Sequence, residues 1–207
     1  EPNEITVEQP YIERNIQATR KAFGMDTIDE RQFSATGQLE LSALETNREV
    51  FHNIRLWDWR ALIDVYRQFQ EIRLYYDFND VDIDRYRVGG QYREVMISAR
   101  EMDTQNLSPQ SQTFVNKHFI YTHGIGVTMA SVSEFTEDGL PELWVKDIPP
   151  KSTYSELQMA DPEIYYGELT RDFVVANSRE PELHHPKGDQ NVYAHYQGKG
   201  GVPLDSL

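Results

Sequence analysis

The chain has 207 residues, a formal net charge of −14 and no cysteine. Its acidic balance disfavours nucleic acid and anionic lipid surfaces as partners, because like charges repel. The lack of cysteine excludes disulfides, thiol nucleophiles and thiolate metal sites together, and the longest apolar runs are too short to span a bilayer.

A first helix is predicted over residues 10–23. Pro10 suits its first turn, and Gly24 suits the position that follows its last turn. Ile12 and Ile16 recur on one face with helical spacing, so both are expected to be buried.

Two further helices are predicted before the first strand. Residues 42–52 form the shorter one, in which Ser42 and Glu45 have the spacing of a capping box. Asp58 is expected to cap the longer helix, residues 59–71. The side chains expected on its buried face are Leu62, Tyr66 and Phe69.

The apolar period then changes from 3.6 to 2, which indicates strands. Residues 73–78 alternate as a half-buried strand. Residues 81–88 and 91–101 flank Gly89-Gly90, a pair that can supply the positive φ angles of a two-residue hairpin turn. This register pairs Asp82 with Ile97, Asp84 with Val95 and Arg85 with Glu94.

In the second half, a helix is predicted from Ser108 to Gly124, with Phe114 and Phe119 buried. Strands are predicted over 125–133, 142–148 and 171–177. Because helices and strands alternate without a regular βαβ rhythm, the fold class is α+β, a single domain with a mainly antiparallel sheet.

The domain is predicted to occupy residues 1–177. Residues 178–207 are rich in Gly, Pro, His and Gln and show little periodicity. They are expected to form an irregular extension that packs on the surface or leads into further polypeptide.

Six segments in this order resemble one family, uncharacterised protein family 0182. They are YIERNIQATR at 11–20, NIRLWD at 53–58, YYDFNDVDIDRY at 75–86, VMISARE at 95–101, YTHGIG at 121–126 and PEIYYGE at 162–168.

The resemblance covers nearly the whole chain. It implies a large bacterial protein with several membrane spans followed by an extracytoplasmic soluble region, of which this chain would be the first part. The implied location is the cell membrane, with this domain on the extracytoplasmic side. The implied partners are the spans and the remaining soluble region, and the family offers no catalytic residues to carry over.

Three aspartates, Asp80, Asp82 and Asp84, alternate in extended chain at the start of the predicted hairpin, so their carboxylates share one face. Hard oxygen ligands in such a group attract a divalent cation such as calcium. An EF-hand is excluded, because Arg85 replaces the required glycine and Gln91 replaces the bidentate glutamate. The alternative is a solvated strand face without a ligand.

Two histidines, His118 and His123, bracket the end of the predicted helix. Their spacing of five differs from the i, i+4 spacing of helical zinc pairs. A remote carboxylate, Asp147, Glu163 or Glu168, could complete a site with them. The alternative is that His118 packs in the core and stabilises the helix C-terminus.

No catalytic motif with a known mechanism occurs in the sequence, so no catalytic residue and no cofactor beyond a divalent cation is predicted. The favoured function is an extracytoplasmic binding or assembly module that is not an enzyme. The alternative is a cation-dependent envelope hydrolase that uses the aspartate strand or the two histidines.

Overall fold

The computed structural model describes residues 3–32, 37 and 40–204. The chain divides into two compact units, Glu1–Leu41 and Ser42–Leu207. The second unit holds the sheet, and it is an α+β fold with antiparallel strand pairing, as predicted.

The α-helices of the described residues are α1 Glu4–Ala22, α2 Leu41–Thr46, α3 Arg48–His52 and α4 Trp59–Gln70. α4 begins where predicted, because the Asp58 side chain accepts a hydrogen bond from the Arg60 backbone N–H over 2.8 Å. The single helix predicted over residues 42–52 is replaced by two short helices, α2 and α3. Ser42 lies inside α2 instead of capping it.

α1 begins six residues earlier than predicted and includes Pro10. A proline inside a helix forfeits one backbone hydrogen bond, which the exposed segment tolerates. Ile12 and Ile16 are 47% and 48% exposed. The prediction that they are buried is therefore wrong.

The strands of the described residues are β1 Tyr76–Asp77, β2 Asp82–Val88, β3 Gln91–Ala99, β4 Glu101–Met102, β5 Gly124–Ile125, β6 Val127–Phe135, β7 Pro141–Lys146, β8 Lys151–Ser152, β9 Glu163–Ile164, β10 Glu182–Lys187 and β11 Gln190–Ala194. Five of them form one antiparallel sheet in the order β2-β3-β6-β7-β8. The others pair as β1-β4, β5-β9 and β10-β11.

The hairpin of β2 and β3 has the predicted register. Asp82 pairs with Ile97, Asp84 with Val95 and Arg85 with Glu94. The two turn glycines have φ angles of +57° and +79°, the region that favours glycine. The hairpin prediction is confirmed.

The core of the second unit lies on both faces of the sheet. Neighbouring residues of β3 point to opposite faces, so Met96 packs against α4 while Val95 packs on the other face in a cluster with Trp144 and Val145. On the α4 side the core residues are Leu62, Ile63, Tyr66, Phe78, Val81, Met96, Ala130 and Val132. On the other side they are Val88, Val95, Met129, Trp144, Val145 and Leu157.

One charged side chain is fully buried between these elements. The Arg100 guanidinium donates to both Gln70 oxygens, to the carbonyls of Ile125 and Asp147 and to the Thr128 hydroxyl, over 2.7–3.3 Å. Burial lowers the pKa of Arg100 to about 10. Arg100 thus fastens the end of α4 to β5, β6 and the turn after β7.

The predicted helix from Ser108 to Gly124 is wrong. Instead the segment holds a 3-10 turn at Pro109–Ser111 and a π-helix at Asn116–Ile120. Phe114 is 61% exposed and Phe119 is partly buried. Gly124 belongs to β5, where a Cβ would overlap the Arg100 carbonyl, so this glycine permits a close backbone approach instead of ending a helix.

The remaining differences concern the predicted strand 73–78, of which only β1 forms, the end of the chain and the last turn of α4. No strand forms over 171–177, while β10 and β11 form a hairpin within the predicted irregular extension. The buried Leu183 anchors this hairpin. Phe69 is 49% exposed, because the buried face of α4 is centred on Ile63, Tyr66 and Gln70.

Candidate functional site

A group of aromatic and titratable side chains surrounds a cavity of ≈ 690 Å³ in the second unit. We call it the histidine cavity. Its principal lining residues are His123, Glu163, Tyr165, Glu182, His184 and Tyr196.

Short strand pairs bring these residues together from four parts of the chain. β5 pairs with β9, with Ile125 opposite Glu163 and Gly124 opposite Ile164, so that His123, just before β5, lies beside Tyr165, just after β9. β10 supplies Glu182 and His184, and Tyr196 follows β11. The site therefore depends on long-range pairing between elements of two to six residues.

Glu182 is the buried charged group of the cavity, at 2% exposure. Its Oε2 accepts hydrogen bonds from the Thr122 and Tyr165 hydroxyls over 2.6 and 2.8 Å, and its Oε1 accepts from the Asn177 backbone N–H over 3.2 Å. Burial, together with the neighbouring Glu182 carboxylate, raises the pKa of Tyr165. Tyr165 is therefore a neutral donor to a fixed carboxylate.

His123 is also buried, and burial lowers its pKa. Its Nδ1 lies 2.9 Å from the Gly124 carbonyl oxygen. Because a carbonyl oxygen only accepts, Nδ1 carries the hydrogen, and the neutral ring has its lone pair on Nε2. The ring packs 4.9 Å from the ring of Tyr165.

His184 is the second histidine of the cavity. Its Nδ1 lies 3.3 Å from Oε1 of Glu163, close enough for an ion pair when the ring is protonated. The rings of His184 and His123 are 6.2 Å apart. The cavity thus offers a neutral imidazole, a carboxylate–imidazole pair and a buried carboxylate to whatever enters it.

The predicted pair of His118 and His123 is separated in the structure. His118 lies in the π-helix, its Nδ1 is 2.6 Å from the Phe173 carbonyl oxygen, and its ring stacks on the Phe173 ring at 4.3 Å. Its Nε2 is 3.9 Å from Asp172. His118 does not line the histidine cavity, so the interpretation of packing fits it better than that of a shared site.

The three carboxylates, any one of which was considered as a further member of that site, lie in three different places. Glu163 lines the histidine cavity. Asp147 contacts Lys151 at 3.1 Å. Glu168 lies in a second cavity, of ≈ 480 Å³, which we call the acidic cavity.

The acidic cavity contains two of the three predicted aspartates. Asp80 and Asp82 line it together with Glu101 and Glu168, whereas Asp84 lies further along β2. Burial and the charges of Asp82, Glu168 and Glu101 raise the pKa of Asp80. Within the described ranges, no three His, Asp or Glu side chains converge in a way that could hold a metal ion.

Glu101 gives the acidic cavity its fixed wall. Its carboxylate accepts the backbone N–H groups of Glu168 and Leu169 over 3.0 and 2.8 Å. A Cβ on Gly167 would overlap the same carboxylate. The loop at residues 167–169 therefore packs so closely on Glu101 that position 167 has no room for a side chain.

The helix α1 presents a different kind of surface, because none of its residues is buried. At 3.6 residues per turn, Ile5, Ile12, Ile16 and the adjoining Phe23 fall within about 40° of one another around its axis. They are 47% to 81% exposed. We call this row the α1 apolar face.

In the part of the chain that the structure describes, no helix combines the length and the apolar character that a membrane crossing requires.

Sequence reasoning missed Tyr165, Glu182, His184 and Tyr196 as members of one site. One signal was available, since Gly188-Asp189 is typical of a two-residue hairpin turn when the residues on either side alternate between apolar and polar. That turn does join β10 to β11. The pairing of β5 with β9 left no such signal, because each strand has only two residues.

The chain is similar to proteins of one family. The sequence profile of the uncharacterised protein family UPF0182 matches residues 1–207. A UPF0182 protein of Sulfurovum sp. is 52% identical over 206 residues, covering 100% of this chain and 22% of that protein. UPF0182 proteins of Pelotomaculum thermopropionicum and Trichodesmium erythraeum are each 48% identical, covering 97% and 100% of this chain and 22% of each relative.

The chain thus spans about 22% of the length of these curated relatives. No solved structure matches it with significant similarity.

Proposed function

The chain belongs to the uncharacterised protein family UPF0182, and on that premise we propose that it is a binding or assembly module in the extracytoplasmic part of a multispanning membrane protein. The observation that carries the proposal is the α1 apolar face. All 19 residues of α1 are exposed in the part of the chain that the structure describes, although packing supplies most helix stability in proteins.

The α1 apolar face favours an apolar partner. Full burial of each large aliphatic or aromatic side chain stabilises a contact by about 1.5–3 kcal/mol, and an exposed apolar row is typical of an interaction site. The relatives are more than four times as long as the matched region. We therefore assign the partner as another apolar segment of the same polypeptide.

The extracytoplasmic location is supported by the resemblance and by the acidic composition. Anionic lipid headgroups repel a domain with a net charge of −14, which suits a position away from the membrane surface. A membrane-impermeant thiol reagent tests this location. The chain has no cysteine, so a cysteine placed at the exposed Glu137, in the turn between β6 and β7, gives one defined labelling position.

The experiment uses the full-length Sulfurovum relative, with any native cysteine removed and a cysteine at the position aligned with Glu137. We expect labelling in intact cells at the same level as in permeabilised cells. A matched variant with its cysteine in a loop that reporter fusions place in the cytoplasm should label only after permeabilisation. Labelling of the Glu137 position only after permeabilisation would contradict the proposed location.

A further inference from the structure

We propose that the histidine cavity binds a small organic cation, an alkylammonium or quaternary ammonium group. The observation is the combination of carboxylates and ring faces around one open space in the second unit. This inference goes beyond the assembly role and does not depend on it, since the cavity and the α1 apolar face belong to different units.

The charge of the lining favours a cation. Asp161, Glu163 and Glu182 are the acidic lining residues, whereas Lys199 is the lysine of the lining and the remaining basic side chains are imidazoles, those of His123, His184 and His195. The Glu182 carboxyl group lies in a setting with little water, where electrostatic interactions are stronger than in bulk solvent. The three carboxylates of the lining would repel an anionic ligand.

The aromatic walls favour a cation that is not a metal ion. The rings of Tyr165 and Tyr196 stand at 90° with centroids 5.1 Å apart, and the ring of His123 also packs against that of Tyr165, at 4.9 Å. Ring faces attract organic cations, and quaternary ammonium groups are recognised by such aromatic cages. The carboxylates supply the charge, and the rings supply a weakly hydrated surface that suits methyl or methylene groups.

One wall of the cavity is held in a fixed orientation. The Tyr196 hydroxyl donates to the Gly200 carbonyl over 2.9 Å and accepts from the Gly200 backbone N–H over 2.8 Å. A Cβ on Gly198 would overlap the Tyr196 ring. The ring is therefore positioned before a ligand arrives, which reduces the entropy lost on binding.

The test compares two ligands of nearly equal shape by titration calorimetry on the 207-residue chain. Choline carries the quaternary ammonium group, and 3,3-dimethylbutan-1-ol replaces its nitrogen by carbon. We expect saturable choline binding that weakens with added salt, and at least about tenfold weaker binding of the alcohol. Equal affinity for both ligands, or no saturable binding of choline or n-butylammonium, would overturn the proposal.

Two variants locate the binding in this cavity. Glu163→Gln removes one charge, and Tyr196→Leu removes one ring; each should weaken choline binding at least about tenfold. The matched control is Glu180→Gln, which removes an exposed charge outside the cavity and should leave affinity unchanged. A cooperative melt of each variant establishes that it is folded, and unchanged affinity in both folded cavity variants would also overturn the assignment.

Discussion

The Tyr165 hydroxyl donates a hydrogen bond to Glu182 over 2.8 Å, and this bond joins the end of β9 to the start of β10. The same carboxylate also accepts the Thr122 hydroxyl and the Asn177 backbone N–H. Three donors from three separate segments thus converge on one buried negative charge. The stability of the histidine cavity should therefore depend on the charge and acceptor capacity of Glu182.

Glu182→Gln replaces one carboxylate oxygen by an amide NH₂, which cannot accept hydrogen bonds. At least one buried donor then loses its acceptor, and we expect the free energy of unfolding to fall by about 1–3 kcal/mol. Urea unfolding followed by tryptophan fluorescence measures the change. The exposed control Glu180→Gln should stay within about 0.5 kcal/mol of the parent chain, and an equal effect of the two variants would show that Glu182 has no special role.

The turn between β2 and β3 requires glycine for conformational reasons alone. Gly89 and Gly90 have positive φ, and no atom lies within 4 Å of a Cβ built on either residue. Gly89→Val and Gly90→Val should each cost more than about 1 kcal/mol, since a β-branched residue is strained at positive φ. Thermal melts check this, and a neutral effect at both positions would contradict the assigned turn.

Local patterns were sufficient to predict α4 and the β2–β3 hairpin. In α4 the capping aspartate and the apolar period lie within one segment, and in the hairpin the glycine pair sets the register. Both signals come from neighbours in sequence, so no distant contact was needed to recognise them.

Distant contacts explain where prediction from sequence was wrong. Phe114 and Phe119 have helical spacing, but the backbone of His118 accepts a hydrogen bond from Val175 and its ring stacks on Phe173. These contacts, more than fifty residues away, favour a π-helix over a regular α-helix. Similarly, α1 has a clear apolar stripe, yet nothing in the sequence indicates whether its partner lies within the matched region.

A substitution in the acidic cavity should change the free energy of unfolding in the opposite direction to Glu182→Gln. Burial and neighbouring carboxylates raise the pKa of Asp80, so its ionised form is disfavoured in the folded state. Asp80→Asn should therefore raise the melting temperature at pH 7, by a free-energy change of at most about 0.5 kcal/mol because the site is largely solvated. Glu137→Gln, in an exposed turn, is the matched control.

Repeating the Asp80 melts in calcium and in a chelator tests the aspartate prediction directly. A calcium-dependent rise that disappears in Asp82→Asn would establish the cation site predicted from the alternating aspartates. Turnover of envelope-type ester or phosphate substrates that requires the same residue would favour the hydrolase alternative over an assembly module.

His123 predicts a pH dependence of stability. Its folded-state pKa lies below the ordinary value of about 6.5 because the ring is buried. As the pH falls through the ordinary pKa, the unfolded state binds a proton on this ring more readily than the folded state does. The free energy of unfolding should therefore fall as the pH decreases. His123→Asn should flatten this decline between pH 7 and pH 5, whereas the exposed control His195→Asn should leave its slope unchanged; equal slopes in all three proteins would contradict the account.

The most direct test of the proposed assembly role is photo-crosslinking of the α1 apolar face in the full-length Sulfurovum relative. A photoreactive amino acid at the position aligned with Ile12 or Ile16 should crosslink to a segment outside the matched region of the same polypeptide, identified by mass spectrometry. Arg14 points to the opposite side of the helix, so its aligned position is the matched control and should give little crosslinking. Equal crosslinking from both sides, or none from the positions of Ile12 and Ile16, would contradict the claim that this face is an interface.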